Sequence, residues 1–242
     1  LVSDPLIATK LMMIAGIVIA GLSMFVLAKE FFAVKGGILS AILYLYAPYH
    51  GLNIYVRGDV AEFYAYAFIP LVFYGLYKIY KENLLRYVIV SSVFFALIII
   101  SHNLTALMVT PFFVLFALIL GFKDRKKVLF LITSFVLAFM LSSFYFIPAL
   151  LEMNYTNVLS QVGGGADFRD HFVCISQLWT SLWGYGGSAK GCIDGLSFMV
   201  GKTHILLSVF TLSLYVLLFA YKKIKLNVED RENIFFVLLF FI

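Results

Sequence analysis

Long apolar runs, each about the length needed to cross a bilayer, alternate along this chain with short polar connections. A spanning helix takes roughly 20 predominantly apolar residues. Runs of that kind lie at about 10–29, 34–50, 60–80, 84–101, 103–121, 127–148 and 202–221. An eighth, 233–242, is cut short at Ile242. Stretches such as Val88–Ile100 lack the two-residue alternation of a transmembrane barrel strand. Lipid requires every backbone polar group to pair within its own segment, so the runs are read as helices. The pattern predicts an all-α, polytopic transmembrane helix bundle of seven spans plus a truncated eighth, with one long outer loop. Residues 1–148 would carry helices 1–6, 149–201 the loop, and 202–242 helix 7 with the start of helix 8. A start at Leu1 without a signal peptide and a stop inside an apolar run lead us to expect a fragment of a longer chain.

Local residues punctuate these runs. Asp4-Pro5 suits a helix start, and Gly36-Gly37 is expected to break the chain between helices 1 and 2. Asp59 and Glu62 have the spacing of a capping box at the start of helix 3, with a kink expected at Pro70. Ser101-His102-Asn103 is a tight turn that makes helices 4 and 5 antiparallel neighbours, and Pro111 is expected to bend helix 5. Helix 6 should end at Pro148. In the loop, Gly163-Gly164-Gly165 marks flexible backbone. Trp179 and Trp183, four apart, would share one face of a short helix in the headgroup layer.

Composition agrees with a lipid solvent. The chain of 242 residues is 63% hydrophobic and 13% charged, with a mean hydropathy of +1.00. A soluble domain of this size has too little interior for that much apolar surface. The net charge of +5 could signal a nucleic-acid partner, but its distribution argues against one. Thirteen of the 18 Lys and Arg fall in every second connection: Lys29 and Lys35; Lys78, Lys81 and Arg86; Lys123, Arg125, Lys126 and Lys127; Lys222, Lys223, Lys225 and Arg231. That is the positive-inside pattern. It predicts a multi-pass plasma-membrane protein whose N-terminus, 50–59 segment, 101–103 turn and 149–201 loop are extracytoplasmic.

The candidate chemistry then gathers on the outer side. All four histidines (His50, His102, His171 and His204) lie there, as do seven of the 13 acidic residues. Ionisable groups close to lipid are costly, so they tend to face a cavity or a partner. Asp59 and Glu62, at i and i+3, share a helix face and could hold a divalent cation such as Mg or Mn or act as a base; the reading favoured over metal binding by these two alone is the cap, with Arg57 as ion-pair partner. Arg57 has the planar fork that suits phosphate. His50, His102, Asn103 and Glu152 complete the set of substrate- or phosphate-binding candidates; for His102 capping of helix 5 stands beside function, and for His50 an interfacial structural role is favoured. Cys174 and Cys192, both in the outer loop, are a disulfide pair or two free thiols; spacing does not decide between them. No HExxH, Walker loop or GxSxG occurs, which argues against a metalloprotease, an NTPase and a serine hydrolase.

With these residues laid out, the chain resembles the prokaryotic multi-spanning membrane proteins described as 6-pyruvoyl-tetrahydropterin synthase-related. The resemblance rests on Pro48-Tyr49, Tyr55-Val-Arg57-Gly58-Asp59-Val-Ala-Glu62, Pro70-Leu71 and His102-Asn103. Pro148-Ala149 with Glu152, and the run from Trp183 through Asp194-Gly-Leu-Ser-Phe to Gly201, extend it. Nothing here resembles the zinc-binding soluble synthase of that name. The architecture is instead similar to the GT-C membrane glycosyltransferases, which implies a sugar donor on polyprenyl phosphate, an outer-face reaction and a divalent metal. It also implies a catalytic carboxylate in a first outer loop, upstream of Leu1, which leaves the catalytic residue unknown and gives Arg57, Glu62 and His102 supporting roles. The alternatives are a non-catalytic membrane assembly subunit, whose loop binds a partner, and a lipid or solute transporter. The apolar mid-helix positions disfavour transport.

Overall fold

The computed structural model describes residues 4–82, 85–157 and 167–220. Among them the chain is helical, without a strand. The helices are α1 (Pro5–Leu45), α2 (Pro48–Leu52), α3 (Val60–Glu82), α4 (Leu85–Ser101), α5 (Asn103–Lys123), α6 (Val128–Leu151), α7 (Ile175–Trp179) and α8 (Lys202–Ala220). A π-helical turn, Asn53–Arg57, joins α2 to α3, and a 3-10 turn, Arg125–Lys127, joins α5 to α6.

By length and apolarity, four of these helices can cross a bilayer: α1, α3, α5, and α6 taken with the turn before it. That is fewer than the seven spans expected. The first two expected helices form a single element of 41 residues. Helix α4 has 17 residues, and the described apolar part of the seventh run is also short. The eighth run, the 222–231 connection and the triple glycine at 163–165 lie outside the described residues.

A straight helix of 41 residues would be about 60 Å long, twice the hydrocarbon thickness. The backbone instead leaves helical geometry at Phe32 and Ala33, where Ala33 adopts φ 55°, ψ −170°. The two arms fold back as a hairpin. A Cβ on Gly21 would lie 3.0 Å from the Leu45 side chain, and one on Gly37 would lie 3.0 Å from Phe25 and 3.1 Å from Lys29. The expected break at Gly36-Gly37 is thus displaced: both glycines are helical, and Gly37 supplies the close approach of the arms. The second arm ends at Leu45 rather than residue 50, because Pro48 opens a new helix there.

Helix α3 is the hub. Both arms of α1 pack on it, with the Tyr64 hydroxyl donating to the Met12 carbonyl at 2.8 Å and Phe63 filling the space over Gly16. At its far end Lys78 pairs with Glu30 at 3.3 Å and also with Glu82, which tethers the hairpin bend. Small residues set the remaining spacings, as is usual where lipid supplies no hydrophobic drive between helices. A Cβ on Gly75 would come within 2.8 Å of Ser91 on α4. Ser92 donates across to the Ser134 carbonyl of α6 at 3.0 Å. Phe95, Phe113, Leu76 and Ile98 fill the centre of the bundle. Helix α3 runs through Pro70 as one element.

Candidate functional site

The site forms where α2, the π-helical turn, α3 and α5 meet. Its backbone frame follows from three residues. Pro48 starts α2 after the Leu45 stop. Gly58, at φ +61°, takes the left-handed position that ends the π-helical turn, so the chain can reverse into α3. Asp59 then caps α3, its Oδ1 accepting from the Glu62 N–H at 2.9 Å.

Half of the expected capping box is therefore present. The reciprocal half is not: the Asp59 N–H donates to the Asn53 carbonyl at 3.1 Å. The Glu62 side chain turns to Tyr49 and Arg57 instead. Tyr49 donates its hydroxyl to Glu62 Oε1 at 2.5 Å, and Arg57 Nη1 pairs with Glu62 Oε2. Arg57 Nη1 also reaches the Tyr49 oxygen at 2.8 Å and Asn53 Oδ1 at 3.0 Å, while Nη2 pairs with Asp59 Oδ2 at 3.3 Å. Each of the four carboxylate oxygens thus has a donor. Burial, then the hydrogen bond to Glu62, raises the Tyr49 phenol well above its usual pKa and keeps it a donor.

His102 comes in from the start of α5. It is the N-cap of that helix, with Nδ1 accepting from the Thr105 N–H at 3.2 Å and lying 2.8 Å from the Thr105 hydroxyl. Its Nε2 stands 3.9 Å from Asp59 Oδ2. One ligand atom each from Asp59, Glu62 and His102 lies within 4.8 Å of the others. Two carboxylates against one guanidinium leave the cluster a positive charge short when His102 is neutral. The donor set fits a divalent cation, since Thr105 Oγ1 can accept from an Nδ1–H tautomer and free Nε2 as a ligand. That tautomer gives up the Thr105 N–H cap, so the fit has a cost. Asp59 and His102 keep 25% and 20% of their side-chain surface, enough for a solute to reach them.

Of the residues named from the sequence, Arg57, Asp59, Glu62 and His102 come together here. His50 sits just behind, almost wholly buried, its ring 4.9 Å from Tyr44, 5.7 Å from Phe63 and 5.4 Å from Tyr66. Its Nε2 has no partner within the described protein. Burial lowers its pKa to about 4, so it is neutral at physiological pH. Asn103 is exposed as the first residue of α5, and Glu152 caps the end of α6 without a bond to the cluster. Tyr49, Asn53 and Thr105 were not foreseen as members. The Asn53–Arg57 spacing of four was the available signal for one of them.

The loop seats against this segment. Cys174 and Cys192 are joined by a disulfide. Asp194 accepts from Ser181 Oγ and Gln177 Nε2, both at 2.7 Å, and from the Leu182 N–H at 3.3 Å. Those bonds, that from Ser181 foremost, hold the Asp194 carboxyl below its usual pKa. Gly184 and Gly195 approach so closely that a Cβ on Gly184 would lie 2.4 Å from the Gly195 carbonyl oxygen. Trp183 reaches Gly51, and a Cβ on Gly201 would touch Pro48 at 3.0 Å. His204 Nε2 donates to the Leu43 carbonyl at 2.8 Å, an acceptor left open at the end of α1. The two tryptophans do not share a helix as expected: α7 ends at Trp179, and Thr180 is extended.

Helices of spanning length around a polar cluster at one end define an integral membrane protein. The chain belongs to the family described as 6-pyruvoyl-tetrahydropterin synthase related domain, membrane protein, whose model matches residues 1–162. No curated protein and no solved structure matches the chain.

Proposed function

We propose that the protein is a GT-C-like glycosyltransferase acting on the extracytoplasmic face, with a sugar donor carried on polyprenyl phosphate. The observation that carries this reading is the Asp59–Glu62–His102 group within 4.8 Å at one end of the bundle, held by Arg57. Its charge balance favours a cation over a bare phosphate. In this reading Asp59, Glu62 and His102 hold a divalent ion such as Mg or Mn, which would neutralise the donor phosphate. Arg57 aligns both carboxylates and contributes the remaining positive charge. Tyr49 fixes the Glu62 rotamer, and Thr105 selects the His102 tautomer. These are binding and positioning roles. The disulfide of the loop supports an oxidising, extracytoplasmic location for this end.

The test is transfer of labelled sugar from polyprenyl-phosphate donors by the full chain in liposomes. Activity that falls at least tenfold on Arg57→Ala and on Glu62→Gln supports the reading. Absence of transfer with several donors, or activity indifferent to both changes, overturns it. A second reading, a non-catalytic assembly subunit, draws on the apolar surface of the loop, where Ile175 and Tyr185 are 86% and 85% exposed.

A further inference from the structure

At the end of the bundle away from Arg57, α5 and α6 diverge from their connecting turn and leave an apolar groove of about 740 Å³. Its floor is buried Ala117, Gly121 and Leu131; exposed Phe122, Ile132 and Val136 are among the residues that form its walls. From Val128 to Phe139 the groove follows α6 for about 17 Å, close to the depth of one leaflet. Among the described residues one cationic side chain lines it, Arg125 at its mouth. Lys126 and Lys127 follow in the same 3-10 turn. With Lys123 and Asp124 the connection carries a net charge of +3. Asp124 caps the turn, its Oδ1 accepting from the Lys126 N–H at 3.0 Å.

An apolar slot of leaflet depth, closed by a guanidinium, is complementary to a molecule with an acyl chain and an anionic phosphate at one end. We propose that this groove is a specific site for an anionic phospholipid of the adjacent leaflet, with its chain between α5 and α6 and its phosphate on Arg125. Arg meets phosphate with paired donors, and basic pockets between spanning helices are suited to anionic headgroups. The site is independent of the Arg57 cluster and of the transferase reading.

Native mass spectrometry of the full chain in detergent tests it, using phosphatidylglycerol and phosphatidylcholine of equal chain length. Retention of phosphatidylglycerol at least fivefold over phosphatidylcholine is expected, with the preference lost in the Arg125→Gln, Lys126→Gln, Lys127→Gln variant. Val136→Trp, which fills the slot from an exposed wall position, should reduce retention of phosphatidylglycerol with the cations intact. Equal retention of both lipids overturns the proposal. So does a preference that survives the triple change, or one unaffected by Val136→Trp, which would mean surface charge alone attracts the lipid.

Discussion

The Tyr44 hydroxyl donates to the Tyr66 carbonyl at 2.8 Å, and Tyr66 is the residue four before Pro70. In an unbroken helix that carbonyl would accept from the residue-70 N–H, which proline lacks. A side chain from α1 therefore satisfies the acceptor that a proline in α3 leaves open. The same bond ties the end of the hairpin to the hub helix.

Tyr44→Phe should then lower stability by about 1–2 kcal/mol, the cost of an unpaired buried acceptor. In a Pro70→Ala background, where the backbone donor is restored, the loss should shrink by at least half. Thermal unfolding in detergent of the two single variants and the double variant measures this coupling. Equal losses in both backgrounds would mean that the two residues are not linked.

Ala33 holds a backbone conformation reserved almost wholly for glycine. Replacement by glycine should stabilise the hairpin by about 1 kcal/mol, read as a rise in the unfolding midpoint. A fall would show that the Ala33 side chain stabilises the bend.

His50 gives a pH dependence of definite sign. Its folded pKa of about 4 lies below the usual 6.5, so between those values the unfolded chain binds the proton and the folded one does not. Its contribution is complete above pH 6.5, declines as the pH falls towards 4, and amounts to about 3 kcal/mol. His50→Phe should flatten the stability profile over that window. A profile identical to that of the parent protein would remove His50 as the cause.

In the loop, Asp194→Ala deprives Ser181, Gln177 and the Leu182 N–H of a common acceptor. Limited proteolysis between residues 167 and 201 should accelerate severalfold with the disulfide intact. An unchanged rate would show that the disulfide and the glycine contacts suffice to order this stretch.

Much of the helical framework was legible in the sequence because lipid imposes length and apolarity on each run. Asp59 was readable as a cap for a local reason: its side chain bonds three residues on. The remainder depended on contacts between segments. Glu62 leaves the capping box because Tyr49 and Arg57 compete for it. The chain bends at Ala33 rather than at Gly36-Gly37 because Gly37 is used where the arms touch, and a glycine pair signals close packing as readily as a turn. Trp183 leaves the helical face of Trp179 because Gly184 and Gly195 draw the following strand of loop together, and Trp183 then meets Gly51. The Arg57 pairing with Asp59 and Glu62 lies within one segment and was readable there; the roles of Tyr49, Gly37 and Trp183 have no one-segment signature.

Every acidic oxygen at Asp59 and Glu62 is already bonded in the resting arrangement. Occupancy of this corner is accordingly an exchange between two well-bonded states rather than the filling of a gap. An arriving molecule has to unseat the guanidinium or share lone pairs with it. Its measured affinity will report a small difference between large terms.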